Sequence, residues 1–268
     1  MEGFFKTLFF VVLIVGIVVF GWLLRDKWLP MPEDPTPVEV PVEPAPEEDS
    51  GPRHPIEEPS ILGIDSGETR PLPTLDDSDG FFLLETGQVF GSDVEGMLVR
   101  DSVVDRFVAT VDNLPRKHVP EKIRPVDRLA TEFITEGTGP IVLSEENFKR
   151  YDALVEQVAA ADIDAVADMY RRYYPLFQKS YQQLGYPDAY FNDRLIEVID
   201  LLLATPEPTG PIALIQPKVL YEFIDPALED LASGQKLMLR IGPQHAATIK
   251  GVLRELRSRL ASDEQALP

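Results

Sequence analysis

The chain has 268 residues, no cysteine, three histidines and a formal net charge of −20. Without cysteine there is no disulfide framework, no thiolate metal site and no cysteine nucleophile. His54, His118 and His245 lie far apart and fit no zinc spacing, so no metal is expected, and the surplus of acid argues against nucleic acid as a partner.

The N-terminus reads FFKTLFFVVLIVGIVVFGWLLRDKW, with no charge between Leu8 and Leu24 and two phenylalanines extending the stretch past Lys6. About 20 apolar residues suffice to cross a ~30 Å hydrocarbon core as a helix. Trp22 and Trp28 suit the interface, and RDKWLP offers no small-residue cleavage site, so residues 1–29 read as a retained transmembrane anchor, with the membrane contacted by residues 4–24. Lys6 on one side and Arg25 and Lys27 on the other do not decide its orientation. A very short N-terminal tail before an acidic spacer favours export of the C-terminal bulk, which places the domain in the periplasm of a single-pass inner-membrane protein.

Residues 30–73 hold twelve prolines, eleven acids and two bases. Proline fixes φ and like charges repel, so this segment is expected to be an extended, disordered linker with a reach on the order of 130 Å. It could also fold back onto a basic face of the domain.

From residue 74 to 262 the apolar spacing becomes helical. SVVDRFVATVDNLP places Val103, Val104, Phe107, Val108 and Val111 on one stripe, closed by Pro115. SEENFKRYDALVEQVAAAD predicts a helix capped by Ser144 that buries Phe148, Tyr151, Leu154, Val155 and Val158. The next helix takes Asp162 or Asp164 as cap and stops at Gly185, with Pro175 expected to kink or break it. A further helix, with Asp188 as its cap candidate, carries Phe191, Leu195, Val198, Ile199 and Leu202. Pro226 opens a short helix, and Gly242–Pro243 separates two last helices. Strand signals are thin, limited to PIALIQP and GPIVLS, and residues 263–268 read as a disordered tail. The fold class expected is mostly α, a single helical domain after one transmembrane helix and a disordered Pro/Glu-rich linker.

RFVATVDNLPR, RYYPLFQKSYQQLGYP, YFNDRLIEVIDLL and DPALEDLASGQKLMLRIGP, in that order, resemble the proteobacterial family catalogued as domain of unknown function 3014. The resemblance spans roughly residues 72–260. It implies a membrane-anchored protein with a proline-rich spacer, and it supplies no catalytic residue.

Three features carry candidate chemistry. Tyr170, Tyr173, Tyr174, Phe177 and Tyr181 share one helical face, as a core-facing helix needs, although stacked tyrosines can also seat a sugar. Tyr186 and Tyr190, beside the GYP turn, are the members expected to be exposed. Asp193, Glu197 and Asp200 recur at helical spacing, and a carboxylate pair is what glycoside hydrolysis requires, but solvated helix faces show the same pattern. Serine-hydrolase and nucleotide-binding motifs are absent, so no catalytic residue and no cofactor is assigned.

The third feature is basic. Lys236, Arg240, Lys250, Arg254, Arg257 and Arg259 face a single acid, Glu255, between residues 233 and 259. Lys250, Arg254 and Arg257 are spaced to share a helix face. The competing readings are ion pairs with the domain's own carboxylates, complementation of a helix C-terminus, and an acidic partner. Lys250, Arg254, Arg257, Arg240, Lys236, Tyr186 and Tyr190 are therefore the partner-binding candidates. The function expected is a membrane-tethered, non-enzymatic binding or scaffolding domain meeting an envelope protein or the cell wall. The alternative is a tethered glycan-acting enzyme using the carboxylate pair.

Overall fold

A computed structural model describes residues 51–56, 71–90, 98–126, 133–137, 141–160, 162–218 and 220–262. The anchor expected over residues 4–24 and the tail from 263 lie outside these, as does most of the expected linker. No helix among the described residues is long and apolar enough to cross a membrane.

The described residues form a mostly helical domain with nine α-helices and one small antiparallel sheet. In chain order they are α1 (Ser78–Phe90), α2 (Val103–Asn113), β1 (Thr135–Glu136), β2 (Ile141–Leu143), α3 (Glu146–Lys149), α4 (Asp152–Ala159), α5 (Ile163–Gln183) and α6 (Phe191–Leu203). Then follow β3 (Ala213–Ile215), β4 (Glu222–Phe223), α7 (Pro226–Glu229), α8 (Ser233–Arg240) and α9 (Pro243–Leu260). The long α5 packs on α2 and α9, and α9 also lies along α4 and α6.

The tyrosine-rich face of α5 is the middle of the core. Tyr170, Tyr173, Phe177 and Tyr181 are buried, and Phe177 meets Phe107 at 5.1 Å and Phe191 at 5.9 Å between ring centroids. Phe82 closes on Tyr173 edge-on at 5.0 Å. Edge-to-face contacts of this kind add to plain area burial, so the face is spent on packing and offers no sugar platform.

Pro175 neither breaks nor ends α5, which runs through it. The residue is exposed, so the hydrogen bond it removes is on the solvent side, while the buried stripe holds the turns before and after it. Asp162, not Asp164, caps α5, accepting from the N–H groups of Asp164 and Ala165. Asp188 does not cap α6. The helix starts after Tyr190, and the Phe191 N–H is satisfied by Gln178 Oε1 at 2.8 Å, a cap supplied by α5. Gln178 Nε2 also donates to the Ala189 carbonyl at 2.7 Å, so one side chain clamps the whole turn around Gly185.

The helix expected from Ser144 divides into α3 and α4 at Arg150–Tyr151. Asn147 ties α3 to the chain entering the sheet, with Oδ1 accepting the Ile134 N–H at 2.9 Å and Nδ2 donating to the Ile134 carbonyl. The first turn thus follows the sheet, and α4 follows the helical core.

The two thin strand signals pair with each other. β2 and β3 are the central strands of the order β1-β2-β3-β4, all antiparallel, with Ile141 opposite Leu214 and Leu214 opposite Phe223. Leu143, Leu214 and Phe223 form a second, small core with Leu239 of α8. The α8–α9 junction is as the sequence indicates, with Gly242 at φ 91° and Pro243 opening α9.

Candidate functional site

The basic residues of α8 and α9 do not form one surface. Lys250 lies on the same stripe as Ala246, Ile249, Leu253 and Leu256, and its side chain is only 5% exposed. Its ammonium donates to the Thr205 carbonyl and to Glu207 Oε1, both at 2.7 Å. Lys236, also 5% exposed, donates to Glu229 Oε1 at 2.7 Å and to the Glu229 carbonyl at 3.0 Å. Arg240 is buried beneath the sheet with its guanidinium 5.0 Å from the centre of the Phe223 ring. Its Nη1 has no hydrogen-bond partner among the described residues, and desolvation pulls the group down to about 10. Arg257 holds both oxygens of Asp200, at 2.6 and 3.0 Å. Arg254 is exposed and contributes to holding the Glu207 carboxyl below its ordinary range, after the Lys250 hydrogen bond and charge. Of the six bases, Lys236, Arg240 and Lys250 are therefore interior groups. A long amphipathic side chain on an apolar stripe can reach a buried acceptor, and that is where these residues go.

Tyr186 and Tyr190 are half-buried rather than exposed. Tyr186 stacks on Tyr181 at 4.7 Å, donates its hydroxyl to Asp112 at 3.3 Å and accepts from Arg116 at 3.1 Å. Tyr190 is the N-cap position of α6.

The carboxylates of α6 are taken up by the chain itself. Asp193, with its side chain 13% exposed, accepts from the backbone N–H groups of Arg53 at 3.0 Å and His54 at 2.8 Å. Glu197 accepts from Arg53 Nη2 at 2.5 Å and from Arg194 at 3.2 Å. Asn192 Nδ2 reaches both the His54 carbonyl at 2.8 Å and the Leu260 carbonyl at 3.0 Å, and the Ser262 N–H donates to His54 Nδ1 at 3.2 Å. Ile56 packs against the main core. Residues 51–56, inside the expected extended linker, are thus docked across the start of α6 and the end of α9. Their charged contacts are with the carboxylates of α6 and not with the bases of α9, because EEDS gives way to GPRHPI just where Arg53 can meet Asp193 and Glu197. That local change of sign is the sequence signal that finds the contact.

A groove of about 480 Å³ opens by the other ends of these two helices, beside Thr205 after α6 and Pro243 at the start of α9. Its floor is Leu143 and Ile212 from the sheet side, Phe148 from α3, and Met238 and Leu239 from α8. The loop between α6 and β3 forms one wall, where Pro206, Pro208 and Pro211 limit backbone freedom and Gly210 turns at φ 98°. Glu136, Glu145, Glu146 and Glu207 stand around the opening, and Lys250 closes the deep end. The groove depends on a close approach at its base. A Cβ on Gly242 would sit 2.5 Å from Phe148 Cγ, so only glycine lets the Phe148 ring lie over the α8–α9 turn. Among the described residues no group of three or more His, Asp or Glu is placed to hold a metal ion.

A family model described as a protein of unknown function, DUF3014, matches residues 103–257. The chain belongs to the DUF3014 family. The DUF3014 match begins at the first residue of α2 and ends within the last turn of α9, so it contains every residue of the groove as well as Asp193 and Glu197. Arg53 and His54 fall before it, so the docked segment joins the DUF3014 region from outside. No curated protein and no solved structure matches the chain.

Proposed function

We propose that this chain is a single-pass inner-membrane protein of the bacterial envelope whose domain binds or scaffolds a partner in the periplasm and carries out no reaction. The groove between α3, the sheet and the α8–α9 turn is the observation that carries this reading. A preformed concavity with an apolar floor and polar groups at its mouth is the usual form of a binding site, and here three prolines stiffen one wall. The apolar N-terminal stretch supplies an anchor and the Pro/Glu-rich segment supplies reach.

The glycan-acting alternative needs two carboxylates open to a substrate on either side of the bond to be cleaved. Asp193 and Glu197 are instead engaged by Arg53 and His54, which favours the binding reading. A photoreactive amino acid at Pro208 on the groove wall, compared with one at the exposed Lys179 of α5, tests it in cells. A discrete adduct from position 208 and none from 179 is expected. No adduct from 208, or the same adducts from both, refutes the reading. Paired C-terminal reporters, each active on one side of the membrane, test the orientation, and activity of the cytoplasmic reporter overturns the periplasmic placement.

A further inference from the structure

We infer that the groove receives a short peptide segment of a partner protein that presents an apolar side chain flanked by lysine or arginine. The inference rests on the binding reading above and adds the chemistry of the partner. The floor selects the apolar anchor: Leu143, Phe148, Ile212, Met238 and Leu239 offer no hydrogen-bonding side chain, and methionine adapts to different shapes. The rim selects the charge. Four glutamates surround the opening and one lysine faces them, and that lysine is already matched by Glu207 at 2.7 Å. Glu146 is matched by Lys149 at 2.6 Å, from outside the groove. Glu136 accepts from the Ser144 hydroxyl and Glu145 lies within electrostatic reach of Lys149, but neither forms an ion pair among the described residues, and both are exposed. An arriving cation meets two carboxylates that no ion pair neutralises, whereas an arriving acid meets repulsion at close range.

Charge also removes the other occupants. The chain's own residues 30–73 carry eleven acids against two bases, so they are a poor match for this mouth, and residues 51–56 among them dock elsewhere. An anionic lipid surface is disfavoured by the same carboxylates. A second copy has Lys236, Lys250, Arg257 and Arg259 already committed to partners in its own fold, and its exposed Arg254 stands beside its own Glu207. What remains is a basic, apolar-centred segment from a different protein.

The test uses the full chain in detergent micelles and a fluorescent Gly/Ser peptide carrying one phenylalanine between two lysines, read by anisotropy. Saturable binding is expected, weakened at least about tenfold by replacing the peptide lysines with glutamate and weakened by added salt. Truncating the peptide phenylalanine to alanine is expected to abolish it. Glu145→Lys and the pair Glu136→Gln with Glu145→Lys are expected to weaken binding in that order, with far-UV circular dichroism unchanged because position 145 is exposed and a glutamine at 136 can still accept from the Ser144 hydroxyl. Equal binding of the lysine and glutamate peptides, indifference to the rim substitutions, or no saturable binding overturns the inference. A partner that crosslinks at position 208 through an acidic segment refutes the basic chemistry and leaves the binding reading standing. Absence of any crosslink there refutes both.

Discussion

Gly242→Ala tests the groove's base and the helix junction together. At φ 91° and ψ 159° Gly242 occupies a region that side-chain-bearing residues almost never adopt, and holding alanine there costs about 1–3 kcal/mol. The new methyl would also lie 2.5–2.8 Å from Phe148 Cγ, Cδ2 and Cδ1, so the whole ring must move. Overpacking of this kind costs another ~1–3 kcal/mol, for a total of about 2–6 kcal/mol. Domains are stable by about 5–15 kcal/mol, so the variant should fold with a much lower urea midpoint. Circular dichroism at 222 nm is the assay, because the described residues contain no tryptophan and are mostly helical. Phe148→Ala separates the two causes. In that background the clash is gone and the backbone strain remains, so the double variant should be less destabilised than the sum of the singles by about 1–3 kcal/mol. Additivity within about 0.5 kcal/mol, or a Gly242→Ala cost below about 1 kcal/mol, refutes the close approach as drawn.

Three further outcomes follow from the structure. Asp193→Ala removes the acceptor of the Arg53 and His54 N–H groups, so amide exchange at residues 53 and 54 should quicken while that of α5 is unchanged, with about 1 kcal/mol lost overall; unchanged exchange at both positions counts against the docked segment. Arg240→Met should leave stability equal or higher, because the guanidinium is desolvated with one nitrogen unpaired, and a loss above about 2 kcal/mol would mean that the contact with Phe223 dominates. Burial pushes Tyr174 and Tyr181 up to about 12 and raises Tyr151 and Tyr170 as well. A tyrosine raised on folding stays protonated where the unfolded chain has begun to ionise, so its stabilising contribution is complete below pH ~10 and is lost as pH rises towards 12. Arg240 works in the opposite sense over that window but is one group against four. Alkaline unfolding should therefore begin above pH ~10 and coincide with late phenolate absorbance at 295 nm, and early ionisation of these tyrosines in the folded protein would contradict their burial.

From α2 onward the helices were legible because their apolar residues recur at the helical period and their ends carry Asp162, Gly185, Asp225–Pro226 and Gly242–Pro243, whereas α1 was missed because SDGFFLLETGQVF has no one-sided apolar stripe. Their caps were less so where the acceptor comes from elsewhere, as when Gln178 serves Phe191 across thirteen residues. The sheet was faint because its strands are two or three residues long, too short for an alternation to register. The basic residues were visible as a charge anomaly, but their direction was misjudged. Lys250 sits four residues after Ala246 and three before Leu253, on the apolar stripe, which was the available sign that it points inward. Its partner Glu207 is 43 residues away in a proline-rich loop, and no spacing rule connects the two. The groove draws its lining from the sheet, α3, the α6–β3 loop and the α8–α9 turn, so no single stretch of sequence contains it.

The docking of residues 51–56 on α6 has a mechanical consequence. A pull arriving from the N-terminal side reaches Arg53 and His54 before it reaches α1, so the load falls first on the contacts with Asp193, Glu197 and Asn192. Arg53 and Glu197 are both largely solvent-exposed, so that ion pair resists weakly and yields early. The N–H bonds to Asp193, the Asn192 contact and the packing of Ile56 give way next, and the six residues 51–56 then span on the order of 20 Å when drawn taut. Such a segment acts as a fuse, parting from α6 under load before the helices part from one another.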